Sequence, residues 1–177
     1  MLLAHWITGG AVVLCCIAAW WDLRYRKIPN ALTLPAIVAA LCLHGAFHAG
    51  QGLLLSLAGA LAAGALVLPG YALGFTGGGD LKLLMAVGAL LAFPNAIVAG
   101  LLALVIGGVL GLVTAARTRR LRDSLMRTLH LGHWIALRAA KVPLARPEGS
   151  GVRVPFGVAI ALATAITSWN SWLGSAR

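Results

Sequence analysis

Long apolar runs broken by short polar interruptions set the pattern of this chain. Leu2 to Trp21 is the first run, and it closes on Asp22 and the basic stretch Arg24-Tyr25-Arg26-Lys27. A run of about 20 apolar residues is what a helix needs to cross a hydrocarbon core about 30 Å thick. Ile28-Pro29-Asn30 turns the chain, with proline suited to a helix start and Asn30 to a cap. The pattern then predicts a second span over Ala31 to Phe47, an uncharged turn over His48 to Gly52, and a third span from Leu53 to about Leu73. Gly70, Gly74 and Gly78 fall four residues apart, a small-residue stripe that permits close helix approach if helix persists there. Leu81 to Phe93 is only thirteen residues before Pro94-Asn95, about 20 Å of helix. The glycines before it are therefore expected to enter the membrane and complete the crossing. Asp80 would then sit somewhat below the headgroups, in a wetted cavity shielded from lipid. A fifth span is predicted over Ala96 to about Ala115, with Gly107 and Gly111 as a packing pair. The last runs from Val152 to about Trp172. The expected fold is all-α: a polytopic membrane helical bundle of about six transmembrane helices, one membrane-embedded domain over residues 1–177.

Composition agrees with this reading. Hydrophobic residues make up 60% and charged residues 10%, against about 25% charged in soluble proteins, and mean hydropathy is +0.93. The net charge of +10 is unevenly spread. Twelve of the fourteen Lys and Arg residues fall at Arg24 to Lys27 or between Arg117 and Arg153. Basic residues confined to certain loops mark the cytoplasmic side, and such loops meet anionic headgroups. The expected partner of this charge is the lipid bilayer, and no nucleic acid is expected. Both chain termini are placed outside. Because the basic residues follow the first apolar run and none precedes it, that run reads as a span and not as a signal peptide. The basic cytoplasmic loop, about residues 116–151, repeats Leu121, Leu125 and Leu129 among arginines. This fits an amphipathic helix on the membrane or a partner-docking surface, and the sequence does not separate the two.

Metal and cofactor chemistry finds little footing. Cys15, Cys16 and Cys42 form no CxxC pair and read as packing residues. His44 and His48 have a spacing able to hold a metal but lack a third ligand, and His130 and His133 lack one too. No metal site and no cofactor are expected.

The chain has four acids. Asp123 and Glu148 lie in the basic loop, where solvated ion pairing accounts for them. Asp22 and Asp80 are placed by the topology at the cytoplasmic edge of neighbouring spans, where a carboxylate is costly and functional by default. Two carboxyls close together in low dielectric share one proton. Such a pair can hydrolyse a peptide, one member activating water and the other polarising the carbonyl. A structural pair or an ion-translocating pair fits the residues equally well.

A resemblance tips this balance. Asp22-Leu23-Arg24-Tyr25-Arg26-Lys27-Ile28-Pro29-Asn30 is similar to the D-x-[RK]-x(3)-I-P-N stretch of the type IV prepilin peptidases. Gly77-Gly78-Gly79-Asp80-Leu81-Lys82-Leu83 matches their GxGD-x-K-[LM] stretch, and Val154-Pro155-Phe156-Gly157-Val158-Ala159 resembles their late P-[FY]-[GA]-x-A stretch. The resemblance implies a membrane aspartic endopeptidase of the GxGD type, with Asp22 and Asp80 as the catalytic pair. It implies prepilin or pseudopilin substrates, cut on the cytoplasmic side of the bacterial inner membrane after a small residue, typically Gly. Gly77, Gly78 and Gly79 would let an extended substrate pair its backbone alongside. Lys82 and Arg24 would bias the pair or hold an acidic residue of the substrate, or simply snorkel to the interface. Pro155 and Phe156 would be site walls or helix-start residues. Other pilus-assembly proteins are candidate partners. Larger members of the family carry paired CxxC cysteines and N-methylate the new terminus. This chain has neither those cysteines nor a segment before its first span, so methyl transfer is not expected. The resemblance is to the short, peptidase-only branch serving tight-adherence (Flp-type) pili. The competing expectation is a proton- or ion-coupled transporter or secretion scaffold using the same two aspartates.

Overall fold

The computed structural model describes residues 2–72, 76–117 and 156–175. The expected loop over 116–151, its leucine repeat, Pro155, Asp123 and Glu148 lie outside the described residues, apart from the helical end at 116–117. The described residues form five α-helices: α1 (Leu2–Tyr25), α2 (Asn30–Ala72), α3 (Gly78–Leu91), α4 (Asn95–Arg117) and α5 (Phe156–Ser175). The chain divides into two compact units, Met1–Gly107 with Pro155–Arg177, and Gly108–Val154. The second is described only through the end of α4, where Thr114 Oγ1 donates back to the Leu110 carbonyl.

Four helices, α1, α2, α4 and α5, are long and apolar enough to cross a membrane. The six expected crossings are therefore not all matched by separate helices. The expected second and third spans are two arms of α2, joined at a break where His48 and Ala49 leave helical geometry (φ −126° and 51°). The expected fourth span, α3, has only 14 residues. The break folds α2 into a hairpin. Its first arm reaches the two ends of α3 through Asn30 and His44, and its second through Tyr71 and Leu55. The His44 ring bonds the Leu90 carbonyl at 3.1 Å, and the Phe93 N–H donates to the Leu55 carbonyl at 3.0 Å.

The second arm of α2 packs on α3 through small residues. Ser56, Gly59, Ala60, Ala63 and Gly64 are buried along one stripe, the spacing that lets membrane helices approach closely. Gly59 and Gly88 face each other so closely that a Cβ on either would strike the other's carbonyl oxygen. Ser56 Oγ donates to the Ala89 carbonyl at 2.8 Å. The expected stripe at Gly70, Gly74 and Gly78 does not form. Helix α2 ends at Ala72, Gly74 lies outside the described residues, and Gly70 and Gly78 face Thr76 and Tyr71 instead.

Helix α3 is the buried centre, with Leu83, Leu84 and Val87 at or near zero exposure. Helices α1 and α5 run antiparallel beside it. Trp172 Nε1 donates to Thr8 Oγ1 at 2.7 Å, Cys15 meets Thr164 at 3.4 Å, and the Gly157 N–H reaches Asp22 at the other end. Cys15 thus packs as expected, whereas Cys16 and Cys42 are exposed on this chain.

Candidate active site

Helix α1 ends because Arg26 adopts a left-handed conformation (φ 52°), which costs an L-residue energy and stops helix propagation. Pro29 then forbids continuation, and α2 restarts at Asn30. Asp22 therefore sits in the last full turn of α1, one residue run from the connection to α2. Its Oδ2 accepts the backbone N–H of Gly157, in the first turn of α5, at 3.1 Å. The first N–H groups of a helix have no partner within it and carry the positive end of its dipole. Asp22 supplies such a partner from 135 residues away.

Asp80 lies instead at the start of its helix, α3. It is the third residue of the helix, and its Oδ2 accepts the N–H of Gly77, the residue before the helix, at 3.1 Å. This is the carboxylate half of a capping box. Each acid is thus held by one backbone N–H at the start of a helix.

The two acids share one end of the bundle. The α1–α2 connection carries Ile28 against Gly79, where a Cβ would stand 3.0 Å from Ile28 Cβ and 3.3 Å from its carbonyl oxygen. Lys82 Nζ, one turn further along α3, donates to Asn30 Oδ1 at 3.0 Å. Asp80 lies between these two contacts, outside the four membrane-length helices. Burial pushes its carboxyl up from 3.8 to about 6, the Gly77 N–H opposes that rise, and the negative charge of Asp22 adds to it.

The remaining predicted residues divide. Gly77 is extended (φ −76°, ψ 153°), but its N–H is already taken by Asp80. Gly78 and Gly79 form the first turn of α3, so the glycine stretch is not an open strand as described; Gly78 lies under the Tyr71 ring and Gly79 against Ile28. Arg24 is exposed, and among the described residues no ion pair joins it to either acid. Phe156 is the first residue of α5, and its ring packs over Gly107 of α4. Lys82 is engaged with Asn30, which was expected only to cap α2. Among the described residues no group of three or more His, Cys, Asp or Glu side chains could hold a metal.

Sequence reasoning missed Gly157, Tyr71 and the role of Asn30. The late motif did contain Gly157, and a glycine in the first turn of a helix is a signal that something approaches closely. Nothing local, however, pointed to Asp22 as what approaches.

No curated protein and no solved structure matches the chain significantly. Residues 10–112, which include both acids and all of α2 and α3, match the family model of the type IV leader peptidase family.

Proposed function

Because the chain belongs to the type IV leader peptidase family, we propose that it is a membrane aspartic endopeptidase with Asp22 and Asp80 as its catalytic pair. Its substrates are prepilin or pseudopilin precursors, from which it removes the leader at the cytoplasmic face of the bacterial inner membrane. The observation that carries this reading is that Asp22 and Asp80 lie at one end of the bundle, each held by a backbone N–H at the start of a helix.

In this mechanism the pair holds one proton. The ionised carboxylate takes a proton from water, whose oxygen attacks the scissile carbonyl carbon. The protonated carboxyl hydrogen-bonds the carbonyl oxygen and stabilises the tetrahedral intermediate. The C–N bond then breaks as a proton passes to the leaving amine. Gly77–Gly79 serve the site by letting α3 start close against Tyr71 and Ile28, and Arg24, exposed next to Asp22, offers charge for an acidic residue of the substrate. Phe156, seated on Gly107, fixes the start of α5 and with it the N–H that holds Asp22. Assignment to the peptidase-only branch serving tight-adherence pili is part of the same proposal.

The test is cleavage by the purified protein in detergent of a prepilin bearing a Gly cleavage site. Wild type should yield the clipped pilin. Asp22→Asn and Asp80→Asn should each abolish clipping while expressing and unfolding like wild type. Normal cleavage by either variant would refute the shared pair, and ion-dependent flux without clipping would indicate a transporter.

A further inference from the structure

We propose that Asn30 and Lys82 form a positioning strut that sets the separation of the two acids, so that Lys82 serves the site through its contact with Asn30 and not through its charge. This deepens the peptidase reading and rests on it.

Two contacts hold the start of α3 on the α1–α2 connection. The first is Gly79 against Ile28, with no room for a side chain between them. The second is the 3.0 Å hydrogen bond from Lys82 Nζ to Asn30 Oδ1. Residues 79 and 82 are three apart on a helix and so lie on one face. Residues 28 and 30 are two apart across Pro29, whose ring restricts the backbone between them. The rest of α3 is held by its packing on α2, but a single contact would leave its first turn free to shift. Two contacts a helical turn apart fix both the distance and the orientation of that turn. Asp80 lies between the two contact points on α3. Asp22 lies at the other end of the same connection, where the Arg26 N–H donates to the Asp22 carbonyl at 2.8 Å. One route from one acid to the other, along the connection that joins α1 to α2, therefore runs through the strut.

The alternative is that the Lys82 ammonium acts by its charge, on the acids or on an acidic residue of the substrate. Asn30 separates the two cases, because removing it leaves the charge in place. The packing around Gly79 survives either substitution, so the fold does not depend on the strut.

The experiment compares Asn30→Leu, Lys82→Met, the double variant and Asn30→Asp, which keeps an acceptor for Lys82. Each is measured for prepilin cleavage, and for amide hydrogen exchange over residues 76–82 and 83–91. The strut requires Asn30→Leu and Lys82→Met each to lower kcat about tenfold or more with KM within twofold. The double variant should be no worse than either single one, and Asn30→Asp should stay within about threefold of wild type. Exchange should quicken over 76–82 in both single variants and remain unchanged over 83–91. Loss of activity in Lys82→Met with Asn30→Leu intact would overturn the strut in favour of a charge role. Equal losses in Asn30→Leu and Asn30→Asp would also overturn it. Should the wild type clip no prepilin, the peptidase reading fails, while the exchange pattern still decides whether the strut exists.

Discussion

Gly157 donates its backbone N–H to Asp22 across 3.1 Å, and the glycine leaves the carboxyl no spare room. A Cβ at position 157 would stand 3.1 Å from Asp22 Oδ2 and 3.2 Å from Asp22 Cβ. Gly157→Ala therefore makes the Asp22 carboxyl give by a few tenths of an ångström and lengthens its bond to the donor. If Asp22 serves the reaction as proposed, leader cleavage should fall several-fold with little change in thermal unfolding, since alanine favours the helix it enters. Wild-type cleavage by this variant would show that the donor is dispensable.

The titration of Asp80 gives a second expectation. Burial raises its proton affinity first, and the Asp22 charge adds to this. An ionised neighbour repels a second negative charge, so deleting it makes ionisation easier. Asp22→Asn should move the Asp80 midpoint down from about 6. Infrared spectroscopy of the protonated carboxyl band suits a chain with four acids, and an unchanged or higher midpoint would mean that the two groups do not interact.

At the α2–α3 contact, steric and polar terms can be ranked. Gly59→Ala or Gly88→Ala puts a Cβ onto a facing carbonyl oxygen, and overpacking of this kind costs about 1–3 kcal/mol or more. Ser56→Ala loses one hydrogen bond to the Ala89 carbonyl, worth about 0.6 kcal/mol within a membrane protein. Thermal unfolding in detergent should show a clear fall in Tm for either glycine variant and a small one for Ser56→Ala. The reverse order would show that the close approach relaxes freely.

Much of this arrangement is readable along the chain, because apolar runs and their interruptions are local features. The ends of α1, the break near His48 and the start of α4 at Asn95 all fall where charge, glycine or proline interrupts an apolar run. The two acids stand out because acids are scarce, four in the whole sequence. Less readable is anything that depends on pairing across the bundle. Among 22 glycines, composition does not reveal that Gly59 and Gly88 touch while Gly70 and Gly78 serve elsewhere. Phe156 lies beside the site motif in sequence, yet its ring is occupied by Gly107. Nor does an asparagine after proline disclose that its side chain binds a lysine 52 residues away. The glycine stretch misleads for a physical reason. Asp80 caps its own helix, and this draws Gly78 and Gly79 into the first turn in place of a strand.

The antiparallel pairing of α1 with α5 bears on how the protein is made. Synthesis delivers the first helix long before the last, so α1 waits in the lipid without its companion while the rest of the chain is threaded in. Both aspartates are present in the ribosome-bound chain well before residue 157 exists to hold the first of them. A nascent molecule thus carries Asp22 without its backbone donor until α5 arrives.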